Sequence, residues 1–239
     1  MSFTDADNVG EFLVSARSFA EYEAMFSLSA SDLAGRVLDC PAGAASFTAH
    51  AARLGALATA VDPVYAIAPR ELRRLVVSEQ DRGSAHTIAG SDRYVWDFYG
   101  DSVGHRAMRR ASALTFADDI AAHPDRYVVG SLPALPFDDG QFDLVLSSHF
   151  LFTYADRLDG RFHHRALVEL LRVCSGEVRV FPLLDQGGHA LGQMTEEVLG
   201  WLRRGGATAE VRPVAYEFQR GGNQMLVLSG SLTSTPQTG

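Results

Sequence analysis

The chain has 239 residues, of which 46% are hydrophobic and 21% charged, a balance typical of a folded protein with room for one full core. Its formal net charge is −8, which argues against a broad nucleic-acid interface, because phosphate binding depends on clustered Lys and Arg. No apolar stretch is long enough for a membrane span and no signal peptide is recognisable, so we expect a cytoplasmic protein with neither nucleic acid nor membrane as a partner.

The first half of the chain follows the order helix, strand, helix, strand. Aromatic and aliphatic residues at helical spacing predict one or two N-terminal helices within about 11–30. The next predicted elements are strand one over 36–39, a helix over 44–54 and strand two over 57–61. Each strand ends in a carboxylate, first Asp39 and then Asp62, at roughly the separation that a βαβ unit requires.

A long connection separates strand two from strand three. A helix is predicted near 66–78, and strand three is predicted at 127–129, which begins 65 residues after Asp62 (127 − 62). The remainder, about 80–122, is interpreted as a helical insertion with helical pieces at 91–100 and 104–121. Additional segments at the ligand end of a sheet often form lids or substrate walls.

The second half of the chain continues the alternation and then closes with a hairpin. The predicted elements are a strand over 142–147, a helix over 158–173, a strand over 177–181, a helix over 191–204, and strands over 209–219 and 224–229. We therefore predict an α/β fold with a doubly wound, mostly parallel seven-stranded sheet and an antiparallel C-terminal strand. Residues 1–230 are expected to form a single domain, and 231–239 a disordered tail.

The loop after strand one has the chemistry of a ligand site. Gly43 lets the backbone pass close to a ligand, and the N–H groups of this loop and of the following helix suit an anionic group. Asp39 can accept hydrogen bonds from loop N–H groups or from a ligand ammonium, and Asp62 can accept both hydroxyls of a ribose. Two structural alternatives stay open: Asp39 only fixes the loop, and Asp62 only caps the helix that Pro63 begins.

The segments VLDCPAGAAS, AVDP and GSLPALPFDDGQFDLVLSSHFLF, together with the closing hairpin, carry a family resemblance. They resemble the class I S-adenosylmethionine-dependent methyltransferases, and the resemblance covers most of 36–229 outside the insertion. The family pattern of the first loop is often written D-x-G-x-G-x-G. Here Asp39, Pro41, Gly43 and Ala45 occupy those positions, so one of the three glycines is present.

The resemblance implies that S-adenosyl-L-methionine is the cofactor and assigns its contacts. Residues 39–44 would hold the methionine part, Asp62 the ribose, and the residues after strand three the adenine. The end of strand four would face the methyl group. The expected cofactor-binding residues are Asp39, Cys40, Pro41, Ala42, Gly43, Ala44, Asp62, Pro63, Ser131, Leu132, Ser147, Ser148 and His149.

A small-molecule acceptor is expected, with O- or N-methylation, because the insertion is aromatic and the net charge acidic. His149 is the candidate general base, since its ring titrates near neutral pH; alternatively it is a wall residue. The candidate substrate residues are Tyr94, Trp96, Tyr99, His105 and Tyr154, which could instead only pack the insertion onto the domain.

No metal site is expected. Cys40 and Cys174 lie far apart and fit no metal spacing, and His163 and His164 beside Asp159 are interpreted as a solvated helix face.

Three other functions stay open. A nicotinamide dinucleotide would need the spaced glycines of its pyrophosphate loop, and the first loop offers one. The altered loop is also compatible with a regulator that binds S-adenosylmethionine without catalysis, or with chemistry of that cofactor other than methylation. The sequence leaves a homodimer open as well.

Overall fold

The computed structural model describes residues 12–232, and their central feature is a seven-stranded sheet with helices on both faces. The strand order is β3-β2-β1-β4-β5-β7-β6. The five strands β1 to β5 run parallel, whereas β7 pairs antiparallel with both β5 and β6. The predicted fold class, including the antiparallel C-terminal strand, is confirmed. The strands are β1 Arg36–Asp39, β2 Leu57–Val61, β3 Tyr127–Val128, β4 Phe142–Ser148, β5 Cys174–Phe181, β6 Thr208–Pro213 and β7 Gln224–Ser229.

Six α-helices connect and cover these strands within the described part of the chain. They are α1 Phe19–Phe26, α2 Phe47–Arg53, α3 Pro69–Ala89, α4 Ser102–Ala122, α5 Gly160–Val173 and α6 Gly192–Arg204. None of them is long and apolar enough to cross a membrane. Neighbouring strand residues point to opposite faces, so Val37 packs with α1 and α2 while Leu38 packs with α5 and α6. Burial on both faces explains why the parallel strands read as continuous apolar runs.

The insertion differs in detail from its prediction. The helix expected near 66–78 is α3, which extends to Ala89 and packs against α4. The helical piece expected at 91–100 is absent: these residues contain only a 3-10 turn over Ser91–Arg93, and their aromatic side chains pack into a single hydrophobic cluster. Helix α4 begins after Asp101, whose side chain accepts a hydrogen bond from the N–H of Gly104.

The two ends of the described chain also depart from the prediction. Helix α1 is shorter than expected because Ser18 caps it, with Glu21 completing a capping box, and residues 12–17 before the cap are extended. Strand β6 ends at Pro213, which lacks the N–H that a continuing ladder requires. The first residue of the expected N-terminal helices, residue 11, lies outside the described residues. The same holds for 233–239 of the expected tail.

Candidate functional site

A cavity of about 390 Å³ opens at the carboxyl ends of β1, β2 and β4. We call it the first cavity. It contains most of the residues that the family resemblance assigned to the cofactor. Those that line it are Pro41, Ala42, Gly43, Asp62, Pro63, Ser131, Leu132, Ser148 and His149. The sequence motifs therefore meet at one edge of the sheet, as parallel strands require.

Asp62 caps the turn after β2, one of the alternatives that the sequence left open, and it also fixes the first loop. Its Oδ1 accepts a hydrogen bond of 2.9 Å from the N–H of Val64, which caps the 3-10 turn after β2. Its Oδ2 accepts another of 2.9 Å from the N–H of Gly43, which fixes the first loop. Burial raises the pKa of this carboxyl. A carboxylate offers about four acceptor sites, so Asp62 still has lone pairs for a ligand in the first cavity.

Gly43 is required by the geometry of the first loop. Its φ is +54°, in the left-handed region that favours glycine. A Cβ atom here would approach the carbonyl oxygen of Ser15 to 3.1 Å, which leaves little room for any side chain. The glycine that survives from the family pattern is thus the one at which the loop turns against the N-terminal segment.

Four of the expected cofactor residues lie beneath the surface of the first cavity rather than on it. They are Asp39, Cys40, Ala44 and Ser147, all almost fully buried. Asp39 accepts a hydrogen bond of 2.9 Å from the Tyr22 hydroxyl, and its second oxygen has no hydrogen-bond partner within residues 12–232. Burial raises the pKa of Asp39 and of the Cys40 thiol well above their ordinary values.

The buried state of Asp39 predicts a pH effect on stability. Its pKa is raised on folding, so between the unfolded and folded pKa values the folded chain holds a proton that the unfolded chain has lost. Rising pH therefore destabilises the wild type relative to Asp39→Asn, which does not titrate. We expect the melting-temperature advantage of Asp39→Asn to grow from about pH 5 to about pH 8, both above the ordinary Asp pKa of about 3.9.

Asp143→Asn is the matched control for this pH series. Asp143 lies on β4 near the opposite end of the sheet, and hydrogen bonds from Arg36 lower its pKa. The stabilisation from ionised Asp143 is already complete above the unfolded pKa. The effect of Asp143→Asn on the melting temperature should therefore stay constant from about pH 5 to about pH 8. If the melting-temperature difference between Asp39→Asn and the wild type stays constant or shrinks as the pH rises, ionisation of Asp39 does not destabilise the folded chain.

His149 occupies a strained backbone position at the end of β4. Its φ is +50°, which is uncommon for a residue other than glycine and is often found at functional sites. Its Nδ1 lies 2.9 Å from the Ser148 hydroxyl oxygen, and Nε2 makes no hydrogen bond to any described residue. Burial, Arg17 and Arg109 lower the pKa of His149 well below its ordinary value, so its ring is neutral at neutral pH.

A second, smaller cavity of about 120 Å³ adjoins the first one. Leu13, Ser15, His149 and Tyr154 line both cavities and form the boundary between them. The other residues that line the second cavity are Arg17, Gln80, Gly83, Ser84, His86, Thr87, Tyr94, His105, Arg109, Thr153, Gln186, Phe218 and Gln219. The insertion helices α3 and α4 thus supply much of its wall.

The five candidate substrate residues are divided by the structure. Tyr94, His105 and Tyr154 line the second cavity, while Trp96 and Tyr99 do not. The Tyr99 hydroxyl instead donates a hydrogen bond of 2.6 Å to Glu21, and the indole N–H of Trp96 donates to the carbonyl of Ser91. Burial and the two arginines lower the pKa of His105 to about 2.

Sequence reasoning missed the extended segment of residues 12–17, which we call the N-terminal strap. It crosses the carboxyl edge of the sheet, where the Leu13 N–H donates to the Tyr154 hydroxyl at 2.9 Å. The Ser15 carbonyl accepts a hydrogen bond of 3.0 Å from Ala44 in the first loop. The Arg17 carbonyl accepts one of 2.7 Å from the Ser112 hydroxyl in α4. These bonds join the strap to the first loop and to the insertion.

The interpretation of His163 as a solvated residue was wrong. His163 is 2% exposed, and its ring nitrogens lie 2.8 Å from the backbone carbonyls of Asp159 and Leu151, whereas His164 is exposed. The ring therefore joins the start of α5 to the segment after β4. No group of three His, Cys, Asp or Glu side chains in the described ranges could hold a metal ion.

Comparison with known proteins identifies a domain in the middle of the chain. Residues 82–181 match the family model described as a methyltransferase domain. The match runs from within α3 to the end of β5 and so includes the insertion helix α4 and the strands β3, β4 and β5, but not β1 and β2. It confirms the predicted family resemblance and supports S-adenosyl-L-methionine as the cofactor.

Similar chains are known from archaea and bacteria. A protein of Methanocaldococcus jannaschii described as uncharacterized is 28% identical over 223 residues, which cover 92% of this chain and 97% of that one. A solved Pyrococcus horikoshii protein gives a TM-score of 0.48 at 13% identity, covering 89% of this chain and 90% of that one. The 1,6-didemethyltoxoflavin-N1-methyltransferase of Burkholderia thailandensis, solved with its acceptor and S-adenosylhomocysteine, gives 0.42 at 16% identity, covering 88% and 74%.

Proposed function

We propose that this chain, whose residues 82–181 match the methyltransferase domain family, is an enzyme that transfers a methyl group from S-adenosyl-L-methionine to a small-molecule acceptor, by O- or N-methylation. The observation that carries the proposal is the pair of adjoining cavities that share His149 and Tyr154. Two joined chambers of unequal size suit a reaction between a large cofactor and a small acceptor.

The residues of the first cavity fit this cofactor. The first loop turns at Gly43 with its backbone open to the cavity, and Asp62 retains acceptor capacity where a ribose diol would lie. Ser131 and Leu132 follow β3 on the side where the adenine would bind. When bound, the cofactor supplies an electrophilic methyl carbon on a sulfonium.

The protein's own contribution to such a reaction is alignment and exclusion of water. The N-terminal strap and the insertion supply most of the wall of the second cavity, so an acceptor bound there would be oriented beside the first cavity. Alignment of reactants can lower a barrier by several kcal/mol. His149 lies at the boundary with a neutral ring, and a neutral imidazole can accept a proton from an acceptor hydroxyl or amine.

Binding of S-adenosylhomocysteine, the product of the cofactor, tests the first cavity. Asp62→Ala removes the acceptor for the Gly43 and Val64 N–H groups and for a ligand diol. We expect its dissociation constant to rise about 10- to 100-fold, since hydrogen bonds to a charged group contribute about 1.5–3 kcal/mol. Isothermal titration calorimetry measures this, with Glu196→Ala on the exposed face of α6 as control. Equal affinity in the two variants would remove Asp62 from the cofactor site.

Transfer of a labelled methyl group from the cofactor to a panel of small hydroxylated and amino compounds tests catalysis. Incorporation of label into a small acceptor supports the enzyme. Tight binding of S-adenosylhomocysteine without any transfer would instead favour a regulator that only binds the cofactor. Product masses that differ from addition of one methyl group would favour other chemistry of the same cofactor.

A further inference from the structure

Two arginine side chains line the second cavity although they are almost excluded from solvent. Arg17 in the N-terminal strap is 9% exposed and Arg109 in α4 is 6% exposed. Buried arginines are rare and are normally paired with an acid. The state of their partners therefore indicates whether these two side chains are structural or serve a ligand.

One carboxylate serves both arginines among the residues that the structure describes. Glu21 Oε1 lies 2.8 Å from Nη2 of Arg109 and 3.7 Å from Nη1 of Arg17. The hydroxyls of Tyr99 and Tyr216 adjoin this group, and burial raises the pKa of both, so they are neutral. Two guanidinium groups and one carboxylate leave the cluster with one uncompensated positive charge.

Several buried polar side-chain atoms of residues at the second cavity have no hydrogen-bond partner in residues 12–232. They are Nε and Nη1 of Arg17, Nε of Arg109, Nε2 of His105 and the hydroxyl of Thr153. Buried polar atoms without partners are few in native proteins, because each costs about 1–3 kcal/mol. Their concentration around one cavity that also carries excess positive charge indicates a missing anionic partner.

We infer that the second cavity binds the carboxylate of a small carboxylic acid, which is the methyl acceptor, with Arg17 and Arg109 as its recognition residues. This inference rests on the proposed function for the identity of the bound acid as an acceptor. The acid's carboxylate lies toward the two arginines and its methyl-accepting atom lies toward His149, which borders the first cavity.

The composition of the cavity favours a carboxylate over other ligands. No Asp or Glu is found among the described residues that line it, so an ammonium group would meet two arginines without a counter-ion. The single excess charge matches a monoanion better than phosphate, which carries about −1.5 to −2 at neutral pH. The volume of about 120 Å³ corresponds to about four water molecules at about 30 Å³ each, which suits a small metabolite.

Thermal shift and calorimetry with four acids and their amides test the inference. The acids are acetate, glycolate, benzoate and para-hydroxybenzoate, and each amide has nearly the same shape without the charge. We expect at least one acid to raise the melting temperature and to bind at least tenfold more tightly than its amide. Inorganic phosphate forms a separate arm, and each ligand is measured with and without S-adenosylhomocysteine.

Arg17→Gln is the diagnostic variant and Arg106→Gln its control. Arg106 is an exposed residue of α4, pairs with Asp81 and does not line the cavity. Arg17→Gln should weaken binding of the acid at least tenfold while the melting temperature of the ligand-free protein does not fall. If Arg17 only stabilised the fold, its replacement would lower the melting temperature of the ligand-free protein. Arg106→Gln should change neither quantity.

The outcomes separate this inference from the proposed function. If no acid binds more tightly than its amide, if phosphate binds and the acids do not, or if binding survives Arg17→Gln, the carboxylate site is refuted. Each of these results leaves S-adenosylhomocysteine binding at the first cavity intact. Conversely, failure to bind S-adenosylhomocysteine with retention of acid binding would refute the proposed function and leave an acid-binding site.

Discussion

Replacement of Glu21 by Gln is expected to lower the free energy of unfolding by about 3–5 kcal/mol, the range found when one partner of a buried ion pair is removed. Glu21 is fully buried and neutralises two buried arginines at once. Without its charge, Arg17 and Arg109 would face each other with no described anion between them. Chemical denaturation at neutral pH measures the loss.

Glu23→Gln is the matched control, because Glu23 lies on the same helix α1 but is exposed. It should change stability by no more than about 0.5 kcal/mol. An effect of Glu21→Gln as small as that of Glu23→Gln would show that the arginines find other partners. Addition of a carboxylic acid that binds the second cavity should restore part of the stability lost in Glu21→Gln.

The ion pairs of Glu21 also predict an acid-dependent loss of stability. Burial raises the pKa of Glu21, but Arg109, Arg17 and hydrogen bonds from Ser18 and Tyr99 together lower it by more, so the folded pKa lies below the ordinary value of 4.5. The contribution of the ionised carboxylate is therefore present above that value and is lost as the pH falls through the folded pKa. The difference in the free energy of unfolding between the wild type and Glu21→Gln should therefore become smaller as the pH falls below 4.5.

The sheet could be predicted from the sequence because its signals are local. Strands β1 and β2 were placed at their observed bounds, since each apolar run ends in an Asp, followed in β1 by a loop of small residues and in β2 by Pro63. The doubly wound, mostly parallel architecture followed from the alternation of strands and helices, which allows few topologies. The expected cofactor residues that line the first cavity could be predicted for the same reason, because they directly follow predicted strands.

The second cavity could not be predicted because it depends on contacts between distant segments. Arg17 and Arg109 are 92 positions apart (109 − 17) and meet only because the N-terminal strap and α4 both pack on the carboxyl edge. One signal was available: Glu21 stands in a helix otherwise rich in apolar residues, four positions after Arg17. A carboxylate on an apolar helix face indicates a buried ion pair, but the sequence does not indicate that Arg109 is its second partner.

The aromatic segment of the insertion was interpreted as either a substrate wall or a packing element, and the structure separates its residues into those that line the second cavity and those that only pack. Tyr94 stacks on Phe218 at 4.6 Å and lines the second cavity. Tyr99, five positions later, instead donates to Glu21 and stabilises the ion pair behind the wall. A single stretch of sequence thus serves both functions because it lacks a regular helix that would direct its side chains to one side.

His149→Asn is expected to lower the turnover of the proposed reaction about 100- to 10,000-fold, the usual contribution of a general base. Asn is chosen because it tolerates the left-handed backbone at φ +50°, so the end of β4 keeps its course. The affinity for S-adenosylhomocysteine should change little, since Asp62 and the first loop are unaffected. Initial rates with the acceptor found by the labelling assay measure the effect, and His164→Asn, exposed on α5, is the control.

The pH profile distinguishes a base from a wall residue at this position. Burial and the two arginines lower the pKa of His149 well below 6.5, so the neutral ring that accepts a proton persists to lower pH than an ordinary histidine allows. Turnover of the wild type should therefore stay level from about pH 8 down to about pH 6.5 and fall only below that. The residual rate of His149→Asn should lack this acidic limb. If the variant keeps the full rate, or if both proteins lose activity at the same pH, His149 contributes a wall to the cavities and the acceptor loses its proton directly to water.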